Sequence, residues 1–158
     1  MKKKSIVLLH GVFESQVFDH IKKRKFKEVF ILEGRPQLEA GRISCGELLH
    51  RKIVPTLISD NMAGFLFFRK LVKEICISYQ TADEKGALCH IGALILGVLG
   101  KKHGIPVYLF PGKPQNRFMG DPKDILSFQK KRIAPVGIKG YVPLVEWLPR
   151  KYITKIME

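Results

Sequence analysis

The chain is 158 residues long, 46% hydrophobic and 27% charged, the composition of a globular domain and not of a disordered or fibrous chain. That length accommodates one domain over residues 1–158, and no apolar run approaches the roughly 20 residues that a membrane-spanning helix needs. Lysine and arginine total 28 against 14 acidic residues, a net charge of +14 that admits nucleic acids and other polyanions as partners.

The first residues, Met1-Lys2-Lys3-Lys4, read as a basic tail before a short apolar strand over 5–9. That apolar stretch is too short for the core of a secretion signal, so a cytoplasmic location is expected. An amphipathic helix follows over 16–25, with Val17, Phe18 and Ile21 on one side and Ser15 as its cap. A strand over 28–32, a helix over 38–51, a strand over 54–58 and a short helix over 63–70 come next. The last two predicted strands, 74–77 and 107–110, flank a helix over 87–103 that is apolar on all sides and closes on Gly104. Proline, glycine, asparagine and lysine make 111–121 a loop; a short helix over 123–131 and a final amphipathic segment over 150–157 complete the chain. Short strands that are apolar on both faces, alternating with helices, predict a doubly wound α/β domain with a mostly parallel sheet.

Three cysteines, Cys45, Cys76 and Cys89, stand at scattered spacings without a Cys-x-x-Cys pair. Neither a disulfide framework nor a metal site is expected, and no cofactor is implied. The basic residues are spread along the chain, and no zinc finger, recognition helix or aromatic RNA-binding motif accompanies them. Solvated helix faces account for most of them, so nucleic acid ranks below a small-molecule ligand.

In open α/β sheets, ligands bind beyond the carboxyl ends of the strands, close to helix N-termini. His10-Gly11-Val12-Phe13-Glu14 follows the first strand in place of a Gly-x-Gly-x-x-Gly turn, which argues against a dinucleotide fingerprint. Arg35, on the turn after the second strand, can offer a forked donor pair to a carboxylate or phosphate, or pair instead with Glu33, Glu39 or Asp60. Asp60 can cap the following helix, and Asp60 or Asn61 can also hold a sugar hydroxyl. His10 and His90 fall near the same edge as acid–base candidates.

Longer stretches are similar to one family. Glu33-Gly34-Arg35-Pro36-Gln37-Leu38-Glu39-Ala40-Gly41-Arg42 resembles the Glu-Thr-Arg-Pro-x-x-Gln-Gly-Ala-Arg segment of methylthioribose-1-phosphate isomerases. Val54-Pro55-Thr56-Leu57-Ile58-Ser59-Asp60-Asn61-Met62-Ala63-Gly64 resembles the strand and helix start that follow it there. Lys102-His103-Gly104-Ile105-Pro106, Arg132-Ile133-Ala134-Pro135 and Tyr152-Ile153-Thr154 carry the resemblance to the C-terminus. The family joins these isomerases with ribose-1,5-bisphosphate isomerase and the regulatory subunits of eukaryotic initiation factor 2B. The resemblance implies a three-layer α/β/α Rossmann-like fold equivalent to the family's C-terminal domain, without its helical N-terminal domain, and a homodimer.

It also implies changes at the site. The family's catalytic aspartate, in a Gly-Ala-Asp-Arg motif, falls on Ser78-Tyr79-Gln80-Thr81, which places Gln80 at the carboxylate position. An amide does not exchange protons near neutral pH. The Asn-Lys pair that holds substrate phosphate falls on Cys89-His90, leaving Asp83, Cys89 and His90 as weak replacement candidates. Glu39, at the position of the family's glutamine, would repel a phosphate. The expectation is a non-catalytic, stand-alone relative that binds a nucleotide or sugar phosphate at Arg35, Asp60, Asn61, Gln80 and His90, or acts as a regulatory or interaction domain. The alternatives are a divergent aldose–ketose isomerase of a phosphorylated pentose and a basic module contacting RNA or a translation factor. The run Met62-Ala63-Gly64-Phe65-Leu66-Phe67-Phe68 carries more aromatic surface than one short helix can bury, which also points to a homodimer.

Overall fold

Strand β1 (Ile6–His10) is buried at every position, and its side chains point alternately to two apolar layers. In a computed structural model that describes residues 5–158, the basic tail expected at Met1–Lys4 lies outside the described residues. The chain continues through α1 (Gln16–Arg24), β2 (Glu28–Leu32), α2 (Cys45–His50), β3 (Thr56–Ile58), α3 (Ala63–Phe68) and β4 (Val72–Asp83). Then come β5 (Gly86–His90), α4 (Ala93–His103), β6 (Val107–Pro111), α5 (Lys123–Leu126), β7 (Ser127–Phe128), β8 (Lys131–Arg132), β9 (Val145–Pro149) and β10 (Lys155–Ile156).

Six strands lie in the order β10-β6-β4-β1-β2-β3, every neighbouring pair parallel. On one face, Val7, Leu9, Cys76 and Phe110 meet Val17, Phe18 and Ile21 of α1 and Leu48 of α2. On the other, Leu8, Ile75, Ile77 and Leu109 meet Leu66 and Phe67 of α3 and Leu96 of α4. This is the predicted three-layer α/β/α arrangement. The winding direction reverses between β1 and β4, the switch point where such sheets open a crevice.

The largest departure from the sequence expectation lies between β4 and α4. β4 runs on to Asp83, beyond the predicted end, and β5 returns antiparallel to it before pairing with β9. Residues 87–90, predicted as the first turn of a long helix, therefore form a strand. Backbone pairing on both edges outweighs a local helical pattern, and Gly92, with φ of +100°, breaks the run before α4 begins. Nor is α4 packed on all sides, because Ile95 is 67% exposed.

Smaller differences follow the same logic. The helix predicted over 38–51 is a π-helical turn, Ala40–Ser44, leading into α2. The helix predicted over 123–131 is one turn, α5, followed by the β7–β8 hairpin. The final segment is a 3-10 turn, Arg150–Tyr152, and then β10 pairing with β6. Ser15 makes no side-chain cap to α1.

Three helix-to-strand turns end on a lysine in the left-handed conformation: Lys25 (φ +51°), Lys52 (φ +60°) and Lys70 (φ +56°). The equivalent turn after α4 uses Gly104 (φ +64°), as helix ends usually do. A side chain in this region costs about 1 kcal/mol relative to glycine.

Candidate functional site

The carboxyl ends of β1, β2 and β3 and the end of β5 converge around His10. Two adjoining recesses share this residue. One, with the larger polar share of the two, is lined by His10, Gly11, Gly34, Arg35, Glu39 and His90, among others. The second, of about 420 Å³, is mostly apolar, with Leu32, Ile95, Leu96 and Leu99 in its wall and Asp60 and Asn61 at its rim.

Gly11 is the pivot. Its φ of +105° turns the chain after β1, and a Cβ there would lie 2.0 Å from Ser78 Oγ and 3.2 Å from the His90 ring. The missing side chain leaves room for Ser78 and the His90 ring against the backbone. His10 Nε2 donates to the Ile91 carbonyl at 2.9 Å, which leaves Nδ1 as a bare acceptor. His10 Nδ1, Ser78 Oγ and His90 Nε2 are all buried without a hydrogen-bond partner. Buried polar atoms are normally satisfied, so unpartnered nitrogens on His10 and His90, both of which line the recess, mark where water or a ligand belongs.

Burial lowers the pKa of both histidines. His90 is pushed down to about 4, chiefly by desolvation and further by His10. His10 is lowered by desolvation, partly offset by the Asp60 carboxylate, by its hydrogen bonds to the His90 and Ile91 carbonyls, and by Glu146. At neutral pH both rings are uncharged, each able to donate from one nitrogen and accept at the other.

The five predicted ligand-binding residues separate into three groups. Arg35 and His90 line the first recess. Among the described residues Arg35 makes no salt bridge; its guanidinium lies 4.5 Å over the Phe128 ring, held by the β7–β8 hairpin. Asp60 and Asn61 rim the apolar recess, but Asp60 is occupied: its two oxygens accept from the Gly34 and Arg35 amides at 3.0 and 2.7 Å. Asp60 thus fixes the Arg35 turn instead of capping the helix that follows it. Gln80 lines neither recess among their described walls. Its Nε2 donates to the Lys113 carbonyl at 3.0 Å and its Oε1 accepts from the Gln115 amide at 2.7 Å, stapling the loop after β6.

The replacement acid–base candidates have other surroundings. Asp83 accepts from Lys85 and Gly86 amides in the exposed β4–β5 turn. Cys89 points into the apolar core, where burial pushes its thiol up to about 12. Of the three, only His90 reaches the recess.

Glu146 was invisible as a site residue, because it lies more than fifty residues from the helix it serves. From β9 its Oε1 accepts from the amides of Gly92 and Leu94, at 2.7 and 2.9 Å, and occupies the N-terminus of α4. That helix end is therefore filled by a carboxylate of the chain itself. Glu146→Ala is expected to cost about 2 kcal/mol, and Glu146→Gln less, as read by urea denaturation at neutral pH.

On the opposite face of the sheet from the recesses' apolar helices, the described residues hold one cluster with metal-ligand chemistry, His20, Glu74 and Cys76. Arg24 occupies the other Glu74 oxygen at 3.2 Å, and burial, with Glu74 beside it, holds the Cys76 thiol well above its ordinary value. A guanidinium on the carboxylate and a protonated thiol fit an ion-pair clamp between α1 and β4, and they oppose a further cation.

Comparison with known proteins places this geometry. A profile of the initiation factor 2 subunit family matches residues 2–157. The chain belongs to that family. It is 32% identical over 145 residues to methylthioribose-1-phosphate isomerase of Carboxydothermus hydrogenoformans, covering 84% of this chain and 42% of the relative. It is 27% identical over 162 residues to 5-deoxyribose 1-phosphate isomerase of Moorella thermoacetica, covering 94% of this chain and 46% of the relative. The chain thus spans less than half the length of these relatives. Two solved structures share the fold: translation initiation factor eIF-2B subunit delta from A. fulgidus (TM-score 0.82, 21% identity, 99% of this chain and 52% of that one) and 5-methylthioribose 1-phosphate isomerase from Pyrococcus horikoshii (TM-score 0.81, 24% identity, 97% and 49%). Among the described residues no helix is long and apolar enough to cross a membrane.

Proposed function

We propose that this chain is a non-catalytic member of the family that binds a nucleotide or sugar phosphate at the His10 recess. The observation that carries the reading is Gln80. By the motif resemblance it falls where the family carries its acid–base aspartate, and both ends of its amide are committed to the loop after β6. Around it, Cys89 is too weakly acidic to form a thiolate at neutral pH and Asp83 is tied into a turn. The binding features are intact beside them: a guanidinium free of ion pairs among the described residues, two neutral imidazoles, and an apolar recess that suits a base or an alkyl group. A phosphate beside Arg35 would gain a forked, charge-assisted contact, while Glu39, in the same lining, disfavours an anion placed next to it. A cytoplasmic location belongs to the same reading.

Isothermal calorimetry against nucleotides, methylthioribose-1-phosphate and ribose-1,5-bisphosphate tests this directly. Saturable binding without turnover is expected, weakened at least tenfold in Arg35→Ala. Turnover of either sugar phosphate would overturn the non-catalytic reading in favour of a divergent isomerase, the alternative that the relatives' names support. No binding at millimolar ligand would remove the pocket.

A homodimer is part of the proposal. Phe65 and Phe68 of α3 are 61% and 78% exposed, and Ile95 and Val98 of α4, the helix packed against it, are exposed as well, more apolar surface than a monomer usually presents. Light scattering at micromolar concentration should give twice the mass of one chain.

A further inference from the structure

The ligand recess lies at one end of the parallel sheet, and the opposite end is basic. In a doubly wound sheet every helix C-terminus and every strand start fall on that opposite end. Going across the sheet, β10 begins at Lys155, β6 is preceded by Lys101 and Lys102, and β4 is flanked by Lys70 and Lys73. Beyond β1, β2 is preceded by Lys25 and Lys27, and β3 by Lys52. At the strand spacing of about 4.8 Å this row extends over roughly 24 Å. All of these lysines are exposed, and none forms a salt bridge among the described residues. Along the row the acidic residues are Glu28 and Glu74, and Glu74 is buried on the His20–Arg24 side. Glu33, Glu39, Asp60, Asp83 and Glu146 all sit at the other end of the strands, so the charge is polarised along the sheet.

Two features characterise this row, although a further left-handed lysine, Lys130, lies in the β7–β8 hairpin. The helix dipole favours cations at helix C-termini, but Lys27, Lys73 and Lys155 lie beyond any helix end. Lys25, Lys52 and Lys70 also occupy left-handed positions where glycine would be better tolerated. At these three turns the chain carries positive charge against conformational preference. Cations from separate elements are drawn together as well: Arg24 and Lys73 both lie within 6 Å of the Phe26 ring, at 5.8 and 5.6 Å, and Lys101 and Lys151 approach Tyr152 at 5.6 and 5.1 Å.

We infer that this end of the sheet is a docking surface for single-stranded RNA, read through its phosphate backbone and independent of the ligand recess. A linear row of unpaired lysines beside partly exposed aromatic rings suits a linear polyanion whose bases can stack. Binding is then sequence-tolerant and falls steeply with salt.

Fluorescence anisotropy with a labelled 12-nucleotide oligouridylate, titrated from 50 to 300 mM salt, tests the inference. The decisive variant is Lys25→Gly/Lys52→Gly/Lys70→Gly. It is expected to melt at a higher temperature than the parent and yet to bind RNA at least tenfold more weakly at 100 mM salt. Its log–log salt slope should be shallower by about 2, as loss of three phosphate contacts requires. A control, Lys130→Gln/Lys131→Gln/Arg132→Gln, removes the same charge from the β7–β8 hairpin at the recess end and should change affinity less than threefold. Equal loss in both variants would reduce the effect to net charge and overturn the surface. Unchanged binding in the glycine variant, no saturable binding by the parent at 50 mM salt, or tighter binding to phosphatidylserine vesicles than to RNA would each overturn it too.

Discussion

Lowering the pH from about 7 to about 4 is expected to remove about 3 kcal/mol of folding stability through His90 alone. Unfolded, this histidine takes up a proton at its ordinary 6.5; folded, it does so only near 4, because burial disfavours the imidazolium and His10 stands beside it. Between those values the unfolded chain binds more protons, so stability rises with pH across the window and is complete above about 6.5. His10, also lowered by burial, acts in the same direction, while the Asp60 and Glu146 carboxylates facing it soften the effect. Glu33 opposes both: desolvation, with Asp60 near, raises its carboxyl, so it gains relative stability as pH falls. Urea denaturation at half-unit steps from pH 4 to 7.5 measures the sum, and His90→Gln should flatten much of the slope. A variant with the parent's slope would show that His90 is not the titrating group. The same neutrality matters for binding, because an uncharged His90 can serve a hydroxyl as donor or acceptor.

Removing both partners of Glu74 should be at least as damaging from the opposite face. Glu74 is fully buried on β4, with His20 and Arg24 from α1 as its counter-groups. In His20→Ala/Arg24→Ala the carboxylate is stranded in an apolar layer, and the expected loss is about 3–5 kcal/mol, or a Tm lower by roughly 10 °C. Arg24→Ala alone should cost much less, because its side chain is about half exposed and solvent screens the pair. Adding Glu74→Leu to the double variant is expected to restore most of the stability, since an apolar residue suits that layer and leaves no charge to desolvate. Failure of that third substitution to rescue would place the loss in the packing of His20 against Phe110 and Tyr108 instead.

The repeating strand–helix architecture was legible before any coordinates. Strands such as Ile6–His10 are apolar on both faces because helices cover both, and that pattern is local. The family followed from contiguous motifs, above all residues 33–42 and 54–64. The same locality explains the misreading of residues 87–90. Their helical spacing was real, but it competed with hydrogen bonds from β4 and β9, and β9 lies over fifty residues further along the chain.

Site chemistry divides in the same way. Sequence by itself determined which residue types are present: an amide at Gln80, an arginine on the turn after β2, histidines at the ends of β1 and β5, and a strong excess of lysine. Tertiary structure alone decided what each does. Asp60 became a clamp on the Arg35 turn, Gln80 a staple for a distant loop, Cys89 a core side chain, and Glu146 the cap of α4. Scattered lysines became a row because parallel strands all begin on one side. The physical reason is that burial, hydrogen-bond partners and electrostatic surroundings are set by neighbours in space, and those neighbours come from elements far apart in the chain.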